Sequence, residues 1–485
     1  MSSQRVLVVD VGTSSVRVGI FDAQGEARQS IERELLPDSP SDGIVQFDAR
    51  TMAATCLELA VAAIEQGGPV DAVGISDQRG STVVWDRATG EPVGPGIGWQ
   101  DLRTIGACLM LQGQGVRVGP NQSATKLQWL LDQLEDRGRA AELCFGTVDS
   151  WITWTLSGGT VHATDATNAA VTGMQTAGNP VLWDPAILAV LGVPAEMLPT
   201  VIDSSGVVGE ARALPGAPPI AALVGDQQAS LVGQGCVRPG DAKITFGTGG
   251  MLDLVLGEQP PAFEQRGAAG TFPIVAWRHA ERITWGIEAV MLAAGTNVQW
   301  LRDDLGLISS ADESHEVAQQ CDDTGGAVYV PALLGLGTPA WDYGARAAFF
   351  GLTRGTSRAQ MVRAVLEGIA QRGADLVDAA VADSGIAIPA LRVDGGMTDN
   401  ATFVQALADA AQRPVEISPM REATSRGAAL LAGLAVGHHG SVDDLARTWQ
   451  PRVRVEPQRV LDRDRWREAI ERARHWIPEL SGIDF

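Results

Sequence analysis

Short apolar runs broken by glycine, threonine and aspartate recur along the chain, and their spacing predicts its elements. Arg5 to Val9 is β-branched and almost wholly apolar, Asp10-Val-Gly-Thr-Ser-Ser15 supplies turn residues, and Val16 to Phe21 alternates before Asp22 to Gly25 turns again. This pattern predicts a β-hairpin with small polar residues at its tip. A related arrangement follows in the second half, where Ala242 to Phe246 and Met251 to Leu256 flank Gly247-Thr-Gly-Gly250. Two halves that open alike predict a duplicated architecture. Between the hairpins, the helical pattern of 53–65 leads into the strand-like run 71–76, an alternation that predicts α/β halves with helix-covered sheets. The turn Val237-Arg-Pro-Gly240 places the boundary, giving domains 1–236 and 237–485, each expected to carry its own sheet. The Pro-rich stretch 214–219 instead precedes the last strand of the first domain, 220–224. Residues 288–301 read as helical with Gly295 inside, at a cost of ~1 kcal/mol relative to Ala. The stretch 401–412 reads as a helix, and 464–476 as a charged amphipathic helix on the solvated surface.

Composition narrows the function. Of 485 residues, 45% are hydrophobic and 20% charged, which excludes disordered and fibrous chains. The net charge of −21 repels phosphate backbones and anionic lipid, so small metabolites are the expected partners rather than nucleic acid or membrane. The two lysines, Lys126 and Lys243, stand outside any Walker-type P-loop. Five scattered cysteines without a Cys-x-x-Cys argue against disulfides and zinc and for a reducing cytoplasm. The first apolar run is too short for a signal peptide, and no stretch approaches a membrane span, so a soluble, unprocessed protein is expected. His438-His439 reads as a helix end, Trp129, Trp151, Trp154 and Trp300 as core residues, and no Gly-x-Ser-x-Gly elbow occurs.

Candidate chemistry lies in the turns. At the first tip, Gly12 lets the backbone approach an anion, the amides and hydroxyls of Thr13 and Ser14 can donate to phosphate oxygens, and Asp10 can hold Mg²⁺ through water. Phe246-Gly-Thr-Gly249 offers the same donors from the other half. Val393-Asp-Gly-Gly396 leads into Asp399-Asn400 and a helix start, where amide donors suit a nucleotide. Each alone is an ordinary turn. Together, across duplicated halves, they point to nucleotide phosphates in a cleft between domains.

These turns, with Trp99-Gln-Asp-Leu-Arg-Thr104, Ser123 to Leu131, Gly146-Thr-Val-Asp-Ser-Trp151, Gly225-Asp-Gln-Gln228, Gln299-Trp-Leu-Arg-Asp303, Gly335 to Asp342 and Phe350-Gly-Leu-Thr-Arg354, carry a resemblance over nearly the whole chain. The sequence resembles the FGGY carbohydrate kinases of the actin and Hsp70 ATPase superfamily, the glycerol kinases most closely. The resemblance implies an α/β fold of two actin-like (ribonuclease H-like) domains closing on an interdomain cleft, ATP and Mg²⁺ as cofactors, and a homo-oligomer, dimer or tetramer. It makes Asp226 the general base and sets Asp10 and Asp226 near the Mg²⁺. That agrees with in-line phosphoryl transfer, which needs positioning, charge neutralisation and one carboxylate near the nucleophile. For nucleotide it implies Gly12, Thr13, Ser14, Ser15, Thr248, Gly295, Gln299, Gly396 and Asn400. For the acceptor it implies Arg79, Gly80, Trp99, Asn121, Asp226, Gln227 and Met251.

Three acceptor positions depart from the glycerol kinase pattern: Gly80 replaces Glu, Asn121 replaces Tyr and Met251 replaces Phe. The resemblance implies ATP-dependent phosphorylation of a terminal hydroxyl of a small polyol or sugar, glycerol to sn-glycerol 3-phosphate; losing a carboxylate and two rings is expected to widen the pocket, which makes a tetritol, tetrulose or pentulose the alternative acceptor. The rival readings are a non-catalytic actin-like ATPase, which would have no use for Arg79, Trp99 and Asp226 together, and a sugar-sensing regulator, for which no DNA-binding segment is visible.

Overall fold

The computed structural model describes residues 4–420 and 422–482; the outer limits expected for the two domains, residues 1 and 485, lie outside them. The N-terminal half begins with β1 (Val6–Val11), β2 (Ser15–Phe21) and β3 (Ala27–Glu34), then α1 (Ala49–Gly67) and β4 (Ala72–Asp77). The helices α2 (Ala124–Asp132) and α3 (Val148–Ser157) precede β5 (Ser205–Glu210), β6 (Pro219–Gly225) and α4 (Asp226–Gly233). The C-terminal half contains β7 (Ala242–Phe246), β8 (Gly250–Gly257), β9 (Phe272–His279), β10 (Arg282–Met291), α5 (Thr296–Asp303) and α6 (Arg358–Ser384). It ends with β11 (Leu391–Asp394), α7 (Ala401–Ala411), β12 (Val415–Ile417), α8 (Ala423–Ala435), β13 (Val453–Val455) and α9 (Arg463–Ala473).

The duplication is written in the strand order. In the first half the order is β3-β2-β1-β4-β6, antiparallel across β3, β2 and β1 and parallel across β1, β4 and β6. In the second it is β10-β8-β7-β11-β12 with the same alternation of sense. The expectation of two separate sheets is not met. A single 13-stranded ladder results, because β5 and β9 bridge at one residue pair, Ser205 with His279, beside a Ser204 amide bond to the Arg278 carbonyl (2.8 Å). The join is one pair long, but the halves also share a core in which Val6, Val8, Ala72 and Val224 of the first pack with Val255, Ala276 and the α8 residues Ala428 to Leu431 of the second.

All six residues of β1 are buried, as its apolar run requires of a central strand covered on both faces. The first half's core gathers β1, β2 and β4 against α1, whose N-terminus is capped by the Asp48 carboxylate. The second packs β7, β8 and β10 against α6 and α7. Between them α4 and α8 cross. A Cβ at Gly233 would overlap the Ala423 carbonyl, and one at Gly427 the Ala229 carbonyl, so this crossing puts backbone against backbone and requires glycine on both helices.

Two sequence expectations need correction. Residues 288–291 belong to strand β10, and the helix starts only at Thr296; Glu288 lies opposite Asp253 and Phe272, and this cross-strand pairing overrides the alanine-rich pattern. Gly295 is thus the N-cap of α5, and its missing Cβ allows approach to the Gly247 carbonyl, 2.7 Å from where that atom would stand. The helix placed at 464–476 ends at Ala473, and it is not a purely solvated element: Trp466, Ala469 and Ala473 are buried against Val330, Ala332 and Leu336. His438 follows α8 and faces the Asp71 carboxylate at 3.4 Å. Trp151 is buried and donates to the Ala49 carbonyl (2.8 Å), Trp129, Trp154 and Trp300 are half-buried, and the cysteines are free thiols.

Candidate active site

Parallel pairing brings the carboxyl ends of β1, β4 and β6 level, with Asp10 opposite Ser76, and both Val11 and Gly225 opposite Asp77. Ligand sites in α/β sheets form outside such strand ends. Asp10 is 8% exposed; its Oδ1 accepts from the Ser76 hydroxyl and its Oδ2 from Ser425 on α8, each at 2.8 Å. Burial pushes its carboxyl up to about 6, the two serines pull it back, and the nearby Asp226 adds to the rise. Asp226 opens α4 directly after β6, with its Oδ1 accepting the Gln227 amide (2.8 Å). Burial raises its carboxyl above the usual range, and Arg79 draws it down again.

A layer of buried carboxylates fixes these strand ends. Asp165 accepts from the Thr167 hydroxyl (2.8 Å), which in turn accepts the Gly225 amide (2.8 Å) one residue before Asp226. Asn168 links Asp165 to Asp77 (3.1 and 2.8 Å), and the Asp149 amide donates to Asp77 (3.1 Å). Burial raises all three carboxyls, with Asp149 and Asp165 repelling their neighbours.

The other half answers from across the cleft. Arg79 donates to Glu288 Oε2 on β10 (2.9 Å) and to the Gln227 side chain, tying the two halves together over the acid at the start of α4. Behind Glu288, Lys243 and Asp253 form a fully buried ion pair at 2.9 Å. The second glycine turn is held by α5, whose approach supplies the Ala294 amide (2.7 Å) and the Thr296 hydroxyl (3.0 Å) to the Thr248 carbonyl. At the third turn, a Cβ on Gly396 would touch no protein atom within 4 Å, and its φ lies outside the left-handed range. Nothing in the packing of the protein itself requires glycine there.

The comparisons bear directly on this arrangement. The N-terminal domain model of the FGGY family of carbohydrate kinases matches residues 5–233, and the C-terminal domain model matches residues 242–436. This chain belongs to the FGGY carbohydrate kinases. Among curated relatives, the glycerol kinase of Trichlorobacter lovleyi is 42% identical, covering 97% of this chain and 99% of that one. That of Aromatoleum aromaticum is 41% identical with the same coverage. The crystal structure of Plasmodium falciparum glycerol kinase with ADP superposes with a TM-score of 0.90 at 27% identity, covering 97% of this chain and 98% of that one. A xylulose-type kinase structure from Brucella ovis, 23% identical, shares the fold at 0.84 over 99% and 100% of the two chains.

The remaining nominated residues of this FGGY kinase fall into three groups. At the first turn, the Gly12 amide bonds the Ser15 carbonyl (2.9 Å), Thr13 accepts the Trp99 indole N–H (3.1 Å), and Ser14 is exposed. The Ser15 hydroxyl is turned outward to Glu32 (2.8 Å). The Trp99 carbonyl accepts from the buried Lys126 (3.2 Å), whose ammonium burial brings down to about 7, so the acceptor-side indole is anchored at both ends. On the nucleotide side, Gln299 is exposed on α5. The Asn400 side chain caps α7 through the Phe403 amide (3.0 Å) and donates to Ser314 (2.9 Å). On the acceptor side, Met251 is half-buried on β8 between Thr245 and Val290, and Asn121 is exposed. Gly80 has φ +75°, and a Cβ there would overlap the Asn121 carbonyl oxygen. The expected widening therefore fails at this position: the loop backbone occupies the room a side chain would take. Sequence reasoning missed Glu288, hidden by the helical reading of its strand, and the buried Asp77, Asp149 and Asp165, which only the strand register assembles.

Proposed function

We propose that this FGGY kinase transfers the γ-phosphoryl group of ATP to a terminal hydroxyl of a small polyol, glycerol first, giving sn-glycerol 3-phosphate. The observation that carries the reading is the Asp226 carboxylate at the start of α4, raised by burial and flanked by the Arg79–Glu288 bridge between the halves. With Oδ1 engaged by the Gln227 amide, Oδ2 takes the proton of the attacking hydroxyl. Arg79 and Gln227 orient the acceptor hydroxyls, and the Trp99 indole covers its carbon face. The turns at Gly12–Ser15, Thr248 and Gly396 cradle the phosphates through backbone amides, with Gly295, Gln299 and Asn400 on the nucleoside side. Asp10 fits a divalent cation: it is a hard oxygen ligand beside a second carboxylate, Asp226, and its hydrogen bonds come from uncharged hydroxyls. Mg²⁺ there would offset charge on the phosphates.

A second reading rests on Asn121 and Met251, which stand where the glycerol kinase pattern has rings, and takes a four- or five-carbon polyol or ketose as acceptor. From the family resemblance we further propose a cytoplasmic protein that assembles as a dimer or tetramer; no helix among the described residues is long and apolar enough to cross a membrane. Coupled ADP release, compared as kcat/KM for glycerol, erythritol, threitol, erythrulose, xylulose and ribulose, tests the assignment. Glycerol leading by about tenfold supports the first reading and a longer acceptor leading by that margin supports the second; ATP hydrolysis indifferent to every acceptor would sink both. Asp226→Asn should lower kcat by ~10²-fold or more with ADP affinity nearly unchanged. Near-normal turnover would remove Asp226 from the role of base.

A further inference from the structure

The helix that begins with Asp226 ends in a clamp on the strand that feeds the third glycine turn. Asp226, Ser230 and Gln234 are spaced i, i+4, i+8, so they share one stripe of α4 and its cap over about 12 Å. Gln234 is fully buried and held twice by β11: its carbonyl accepts from Arg392 Nη1 (2.8 Å), and its side-chain Nε2 donates to Asp394 Oδ2 (2.8 Å). The Ser230 hydroxyl reaches the same carboxylate oxygen at 3.4 Å. Asp394 is the last residue of β11, and the next two are Gly395, set against the Phe246 backbone of β7, and Gly396, whose Cβ would meet no protein atom within 4 Å.

The carboxylate is held from two sides: Gln234 and Ser230 reach it from α4, and Thr245 and the Lys243 ammonium face it from β7. A shift of the turn that follows Asp394 is therefore felt at Gln234. Because Arg392 grips the Gln234 backbone two residues upstream on the same strand, the helix end follows the strand instead of slipping past it. A rigid two-turn helix then carries that shift to its other end, where Asp226 stands.

We propose that Gln234 is a positioning residue: through its hydrogen bond to Asp394, occupancy of the Gly395-Gly396 turn by nucleotide biases the helix bearing Asp226, so that nucleotide and acceptor bind with positive coupling. The inference rests on the functional reading above. Gln234 touches neither ligand, so its effect appears in the coupling between the two binding events rather than in either alone.

The experiment measures the Kd of ADP by calorimetry with and without saturating glycerol. In the wild-type protein glycerol is expected to tighten ADP by about fivefold or more. In Gln234→Leu the ratio should fall to near one, while the Kd of ADP alone stays within about twofold of wild type. Ser230→Ala should lower the ratio partway. If Gln234→Leu does not fold, Gln234→Asn, which withdraws the amide by one methylene, reads the same ratio with the same loss expected. Wild-type coupling retained in a folded Gln234 variant overturns the proposal, as does a ratio of one in the wild type. ADP and glycerol both failing to bind the wild-type protein would overturn the functional reading as well, whereas binding of both with unchanged coupling overturns this inference alone.

Discussion

Asp10 is held in a state that folding alone does not favour. Its folded carboxyl titrates at about 6 against an ordinary value of 3.8, so keeping it ionised above pH 6 costs the free protein about 3 kcal/mol. The sign follows from linkage. The cost is present above pH 6 and falls away as pH drops towards 3.8, so this group opposes acid unfolding. Asp10→Asn should therefore raise the melting temperature of the ligand-free protein by a few degrees while lowering kcat by ~10²-fold or more; a lowered melting temperature would contradict the origin of the shift in burial. On the proposed role of Asp10 beside the cation, Mg–ADP would require the ionised form and its affinity should fall about tenfold per pH unit below 6. Calorimetry at pH 5.5 in two buffers of different ionisation enthalpy should detect proton release on binding. Gly80 makes the opposite case, since its conformation is required by the protein. With φ +75° and the Asn121 carbonyl in the way, Gly80→Ala should cost ~1–3 kcal/mol, read as a lower denaturant midpoint. Placing Glu there to mimic glycerol kinases would meet this penalty before it touched specificity.

Among elements, the crossing of α4 and α8 carries the largest packing constraint near the site. Gly427→Ala would drive a methyl into the Ala229 carbonyl and force the helices apart. It should destabilise by ~3 kcal/mol or more and reduce soluble yield, as over-packing of backbone contacts does. Gly396→Ala makes the contrast. With no protein atom near its Cβ, the variant should melt within about 1 °C of wild type yet weaken ADP by about tenfold. Equal ADP affinity in that variant would mean the third turn does not approach nucleotide.

For the whole molecule, the halves meet near the site through Arg79 to Glu288, Ser425 to Asp10 and Gln234 to Asp394, and beyond it through the strand bridge, the α4–α8 crossing and the packing of α8 on β1, β4 and β6. On the proposed kinase reading, closure about the α4–α8 crossing would exclude water from the γ-phosphate. Small-angle scattering should record a smaller radius of gyration with ADP and glycerol than without ligands. An unchanged radius would assign catalysis to a cleft already closed.

The duplicated hairpins, the three glycine turns and Asp10 were legible in the sequence because each is local: a strand's alternation, a turn's residue types and a carboxylate at a strand end need no distant partner, whereas Arg79 and Asp226 entered only through the resemblance. The resemblance named the family for the same reason, since its motifs are short and contiguous. Glu288 was not legible, because an alanine-rich run satisfies helix and strand alike until Asp253 and Phe272 pair on either side of it. Nor was the bridge that fuses two sheets into one ladder, which hangs on Ser205 meeting His279, 74 residues apart in sequence. The same holds for the room at Gly80. The sequence shows a missing side chain there, but only the folded loop decides that the Asn121 backbone fills the space, because close packing is a property of neighbours that the chain brings together after the elements have formed.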